Sequence, residues 1–272
     1  MKTNLQDVTF LLLVHVDTIE RVENLLVVVE YLVSNFDTKV EILEVASYNN
    51  GIVKKILNKK VNYTFLEDDD PILFRTKYLN RMLSSVSTTF VAVWDVDVLL
   101  ETGQVIEAMN LLRSGRADFV IPYEKKALDT SLILRKLFLR KKKLDFLSKH
   151  ADKMKEMYPP NPLGGAFFCK LDSYIKIGLE NEDFYGWGVE DGERYLRWKN
   201  SEFKVERVKG ALFHLSHPRG INSIFHAQDQ SFIKERLLES CFKQISFLSL
   251  KKRASIFAIF CFLSTTTNWN RK

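Results

Sequence analysis

The chain has 272 residues, 46% of them hydrophobic, enough to bury one sizeable α/β core within a single domain. Its three cysteines, Cys169, Cys241 and Cys261, are odd in number and lack metal-ligand spacing, so they read as reduced core residues of a cytosolic protein. No stretch reaches the ~18 apolar residues that a spanning helix needs, Met1 to Gln6 lacks the basic start of a signal peptide, and repeats and low-complexity tracts are missing.

Strand and helix signals alternate along the chain. Val8 to Val16 reads as a strand, Ile19 to Ser34 as a helix, Val40 to Val45 as a strand and Asn50 to Asn58 as a helix. Asn62 to Leu66 follows as a short strand, Leu73 to Ser85 as a helix, Phe90 to Val98 as a buried strand, Gly103 to Ser114 as a helix and Phe119 to Pro122 as a strand. Such alternation predicts a mostly parallel sheet with helices on both faces. Ligands of such sheets bind beyond the carboxyl ends of the strands, where Asp17 and the pair Asp95 and Asp97 fall.

The Phe90 to Leu100 run carries Asp95 and Asp97 two residues apart. A strand would point both carboxylates to one face, where like charges beside buried surface raise each other's pKa. No Lys or Arg lies within four residues in sequence, so a divalent cation or a set of donors is expected there.

Further on, Gly186-Trp187-Gly188 brackets an indole between two flexible positions, and Glu190 and Asp191 follow at the start of a helix expected over Glu190 to Trp198. Glu190 and Glu193 precede Arg194 and Arg197 by four residues, the favourable order for ion pairs along a helix. Acids in a first helical turn are ordinarily caps. Here the turn and the Trp point to a carboxylate beside a surface on which a sugar ring stacks. His214 and His217, at the end of a strand-like segment before Pro218 and Gly220, are better metal-ligand candidates than the isolated His150 and His226, which read as structural or solvent-facing.

Taken together, Asp95-Val96-Asp97, Gly164-Gly165, Tyr185-Gly186-Trp187-Gly188-Val189-Glu190-Asp191 and His214-x-x-His217 resemble, in order and rough spacing, the β-1,4-galactosyltransferase-like enzymes. These are metal-dependent, inverting glycosyltransferases of the GT-A fold. Leu73 to Asn80 is similar to the family's Arg-Ala-Lys-Leu-Leu-Asn segment, and Leu11 to Asn24 looks more like bacterial nucleotide-sugar transferases. The resemblance runs from about residue 8 to 225. It implies a GT-A type nucleotide-sugar-binding sheet, with Asp97 and His217 on the metal and His214 where the family has a second, softer ligand. Asp95 would serve the nucleotide ribose or the metal's water shell. Asp17, Arg21, Arg75 and Gly165 would belong to the nucleotide-sugar site. Asp191 would be the general base; Glu190 and Trp187 would position donor and acceptor sugars, with Tyr185 on the acceptor side. The chain departs from the pattern at Gly192 and Glu193, where the family often has further Asp, and at Val14-His15-Val16, which replaces Pro-Phe-Arg.

The chemistry also stands without the resemblance. Sugar transfer from a nucleoside diphosphate needs a Lewis acid on the leaving diphosphate and a carboxylate to take the acceptor's proton. With the resemblance added, the expectation is an enzyme moving galactose or N-acetylgalactosamine from a UDP-sugar to a glycan or lipid-linked glycan of a surface polysaccharide or glycolipid, with Mn²⁺ preferred to Mg²⁺. A silent carbohydrate-binding protein, a metal-dependent phosphohydrolase and a nucleotidyltransferase are the alternatives.

Residues 1–235 are expected to form the transferase domain. It divides into a nucleotide-binding half over 1–122, a basic helical insertion over 123–160 and an acceptor half over 161–225; an apolar tail spans 236–272. The net charge of +6 comes from two basic regions. Leu128 to Lys155 holds Arg135, Lys136 and the run Arg140 to Lys143; Lys251-Lys252-Arg253 precedes the apolar Ile256 to Leu263. These read as a solvated helix and a packed tail, or as contacts to the inner face of the cytoplasmic membrane by a cytoplasmic protein. Nucleic acid is not expected as a partner, because no binding motif accompanies the charge.

Overall fold

A computed structural model describes residues 2–158 and 160–223. The sequence elements named above beyond residue 223 (His226, Cys241, Cys261 and the 236–272 tail) lie outside the described residues.

Two sheets organise the chain. The first contains β1 (Thr3–Val14), β2 (Phe36–Ala46), β3 (Asn62–Glu67), β4 (Phe90–Trp94), β6 (Phe119–Ile121), β9 (Ala166–Lys170) and β10 (Val205–Arg207), in the order β10-β6-β9-β4-β1-β2-β3. Every pairing is parallel except those of β9, which runs antiparallel to both β4 and β6. The second, smaller sheet has the order β5 (Val98–Leu99), β11 (Leu212–His214), β7 (Ala127–Asp129) and β8 (Lys155–Glu156).

The unbroken apolar runs of β1 and β4 have a direct cause: both faces of the large sheet are buried. Val8, Phe10, Leu12 and Val14 of β1, with Ala92 and Trp94 of β4, pack into one core with α1 (Ile19–Asn35) and α4 (Thr102–Arg113). Leu11, Leu13, Val91 and Val93 face the opposite core with α3 (Arg75–Leu83), Tyr174 of α7 (Leu171–Lys176) and Trp198 of α8 (Glu190–Asn200). The expected mostly parallel α/β sheet with helices on both faces is therefore observed. The helix expected over 50–58 contracts to α2 (Ile52–Ile56), which begins after a left-handed Gly51. Cys169 is buried and free, and burial raises its thiol pKa well above the usual range.

The 123–160 segment differs from a purely helical insertion. It opens with β7, continues through α5 (Leu132–Lys141) and α6 (Leu144–Lys149), and returns through β8. Arg135, expected among its solvated cations, is buried: its guanidinium donates to Asn24 Oδ1 at 2.8 Å, the Glu20 carbonyl at 2.9 Å and Glu23 Oε2 at 2.7 Å. A buried arginine needs such partners, and α1 supplies them all.

Candidate active site

The Asp-Val-Asp motif is not on a strand. β4 ends at Trp94, and Asp95 to Asp97 form a turn that enters β5. Turn geometry rather than strand alternation therefore places the two carboxylates, and they diverge. The turn is tied on every side. Asp95 N–H donates to the Gly165 carbonyl at 2.8 Å, Trp94 Nε1–H to the Val98 carbonyl at 2.9 Å, and Leu215 N–H to the Asp97 carbonyl at 2.7 Å.

Asp97 turns toward the histidines. His217 Nε2 lies 3.0 Å from Asp97 Oδ2, and His214 Nε2 lies 3.7 Å from Oδ1. The register of the small sheet arranges this, because β11 pairs His214 with Val98 on one side and with Asp129 on the other. His214 Nδ1 donates to Asp129 Oδ1 at 2.8 Å, and His217 Nδ1 donates to the Pro218 carbonyl at 2.8 Å. With both Nδ1 atoms engaged, each ring presents Nε2 toward Asp97. One oxygen and two nitrogen ligand atoms lie within 4.8 Å of one another. A mixed carboxylate and imidazole set suits a borderline divalent ion, so the residues fit the expected cation.

Charge shapes this corner. Burial pushes the Asp97 carboxyl up, but His214, His217 and Arg21 outweigh it and hold it well below the usual carboxylate range. For His214, burial favours the neutral ring, but Asp97 and Asp129 outweigh it and raise the pKa above 6.5. Arg21 reaches Asp17 at 3.1 Å and Asp97 at 3.7 Å.

Asp95 faces away and is held by Arg75, whose Nη2 donates to Oδ1 at 2.6 Å. Burial raises the Asp95 carboxyl; Arg75 opposes this, while Asp97 and Asp191 add to it. The absence of nearby cations in sequence thus says nothing about space: Arg21 and Arg75 arrive from α1 and α3.

Asp191 sits in the first turn of α8. The turn before it is unusual: Gly186, Gly188 and Val189 have φ of 70°, 108° and 62°. A β-branched residue at positive φ is strained, and here it sets the approach of α8 to the cavity. Asp191 pairs with Arg194, which is buried and forks onto Glu180 at 2.9 and 3.0 Å. Of the two expected ion pairs along α8, Glu193–Arg197 forms at 2.8 Å. Arg194, faced inward by the packing of α8, makes salt bridges with Glu180 and Asp191.

A cavity of about 270 Å³ joins these groups. Arg21, Arg75, Asp95, Asp97, Gly165, Trp187, Glu190, Asp191, His214 and His217 all line it. Two expected site residues sit elsewhere. Asp17 lies behind Arg21, packed so closely on Gly220 that a Cβ there would come within 2.6 Å of its Oδ2. Tyr185 gives its hydroxyl to Asp70 at 2.6 Å and packs edge-on against Phe74. Asp129, Tyr158 and Arg219 also line the cavity and were not expected from the sequence. Asp129 could have been found only by pairing β7 with β11, which two three-residue strands do not announce.

A protein-family model described as the N-terminal domain of galactosyltransferase matches residues 146–219. That segment is well short of half the chain but contains Gly164-Gly165, the Trp187 turn, Asp191 and both histidines. Among solved structures, S. aureus TarS, residues 1–349, superposes with a TM-score of 0.57 at 12% identity, over 100% of this chain and 74% of that TarS chain. The fold is GT-A-like. No curated protein matches the chain. The chain carries its Asp/His cluster, its Trp turn and its α8 carboxylates in one cavity on this fold.

Proposed function

We propose that the chain is an inverting, metal-dependent hexosyltransferase that moves galactose or N-acetylgalactosamine from a UDP-sugar to a hydroxyl of a glycan. The observation that carries this reading is the convergence of Asp97, His214 and His217 with Asp191 and Trp187 in a single cavity. Asp97, His214 and His217 would hold the cation, with Mn²⁺ preferred to Mg²⁺; when bound, it supplies Lewis-acid stabilisation of the leaving diphosphate.

The remaining roles belong to the chain's own residues. Arg75 and Arg21 flank the cation site and offer positive charge to phosphate oxygens. Trp187 offers a flat wall for a sugar ring. Asp191 accepts the proton of the acceptor hydroxyl as that oxygen attacks the sugar's anomeric carbon. Its neighbour Arg194 does not cancel it, because Glu180 neutralises the guanidinium and leaves the three-residue group with net negative charge. Glu190 lies beside Asp191 on the cavity wall and orients the sugars. This work would be done in the cytoplasm, on a glycan or lipid-linked glycan acceptor.

UDP release from UDP-galactose and UDP-N-acetylgalactosamine, followed with Mn²⁺ and with a chelator, tests the proposal. Release that requires Mn²⁺ and disappears in Asp97→Ala is expected. Full activity in chelator would remove the metal from the account. Silence across a panel of nucleotide sugars, despite donor binding, would favour the carbohydrate-binding alternative.

A further inference from the structure

We infer that α5 is a docking face for an anionic lipid surface. The helix is divided lengthwise. Arg135 and Phe138 point inward, and Arg135 is locked onto α1. Outward, Leu132, Ile133 and Leu137 are 57%, 73% and 39% exposed, an unusual display of branched aliphatic surface on one short helix.

The pattern around them identifies the partner. Helical spacing sets Leu132, Lys136 and Arg140 in one row and Ile133 with Leu137 beside it. Exposed Lys141, Lys142 and Lys143 follow, and no acidic residue occurs between Asp129 and Asp145. Aliphatic side chains interleaved with cations match a bilayer interface. The alkyl groups enter the acyl boundary while lysine and arginine stems extend to the headgroups. The charge argues against a second copy of the chain, since two such faces repel.

The position has a consequence for the cavity. α5 follows Asp129, the partner of His214, after a single short connection capped by Ser131. A bilayer on this face would lie a short stretch of chain from the cavity wall, as use of a lipid-linked acceptor requires. The docking itself does not depend on the sugar chemistry, and its test does not read it.

The full chain is sedimented with vesicles of phosphatidylcholine alone and of equal parts phosphatidylcholine and phosphatidylglycerol. Binding to the mixed vesicles that weakens with salt is expected, with little binding to the neutral ones. Lys136→Gln and Arg140→Gln should each weaken it about fivefold, the weight of one cation at an anionic surface. The double variant Ile133→Ser, Leu137→Ser should weaken it by roughly tenfold or more, since two aliphatic side chains leave the interface. All four positions are exposed, so the variants should keep the parent's circular dichroism and its activity on a soluble acceptor. Vesicle binding equal in the parent and all variants would move the contact off α5. Absence of binding by the parent, including the outcome in which α5 captures an acidic protein instead, would overturn the inference.

Discussion

At Asp97, two imidazole rings and a guanidinium converge on one carboxylate, and each is fixed from behind. Asp129 fixes His214, the Pro218 carbonyl fixes His217, and Asp17 draws Arg21 to one side. Of these, Asp129 is the partner whose loss should be felt only through another residue. In Asp129→Ala, the His214 ring loses its tautomer and orientation, and Mn²⁺ affinity should fall by about 10- to 100-fold. Titration with the ion, monitored by calorimetry, checks this; unchanged affinity would mean that His214 is not a ligand. Asp191 calls for a different measurement. Asp191→Asn keeps the shape and the contact with Arg194 but cannot take a proton. Turnover should drop by roughly 10²-fold or more with donor affinity little changed. If Glu190→Gln is the crippled enzyme and Asp191→Asn is near the parent, the two acids exchange roles.

The Gly164–Gly165 step between the cavity and β9 separates function from stability within two adjacent residues. A Cβ on Gly164 would collide with Asp191 Oδ2, at the far end of a side chain that can swing about its pairing with Arg194. A Cβ on Gly165 would come within 2.8 Å of Leu212 Cδ1 and 3.3 Å of Val98 Cγ2, and φ there is +94°. Gly164→Ala should therefore leave the melting temperature almost unchanged while misplacing Asp191, the proposed base, at a cost of about 10²-fold in turnover. Gly165→Ala should lower stability by roughly 1–3 kcal/mol through strain and crowding. Melting curves set beside activity would refute this division if both variants lost stability equally. The same element scale shows what the sequence makes legible. The apolar runs of β1 and β4 and the phase of α1 announce a sheet buried on both faces, and the Trp187 turn announces its own glycines. The end of β4 at Trp94 is not legible. Asp95 and Asp97 continue an alternating pattern, and only the bonds to Gly165, Val98 and Leu215 reveal a turn. Nor is Arg135: amid Lys136 and Arg140 it looks solvated, and its burial depends on Asn24 and Glu23, over a hundred positions away in sequence.

At the scale of the whole molecule, the proposed cation site links elements that lie far apart in the chain. Asp97 follows β4, the histidines close the small sheet, and Leu215 between them donates to the Asp97 carbonyl and accepts from Asn24 of α1 at 2.8 Å. An ion held there would bind the folded chain and not the unfolded one, raising stability by about 2.7 kcal/mol at a hundredfold excess over Kd. Protons act on the same site in the opposite direction. His214 has its folded pKa raised above 6.5, so in the metal-free chain it contributes stability that is complete below pH 6.5 and is lost as pH rises through the folded value. Mn²⁺ needs the Nε2 lone pair and displaces that proton. As pH is raised from about 6 to about 8, the range in which histidine titrates, this contribution should lower the melting temperature of the metal-free chain. The rise in melting temperature produced by Mn²⁺ should grow over the same range. Asp97→Ala, which removes the carboxylate that opposes the proton and binds the ion, should flatten both trends. A Mn²⁺ effect that shrinks as pH rises, or that survives intact in Asp97→Ala, would place the ion somewhere other than between Asp97, His214 and His217.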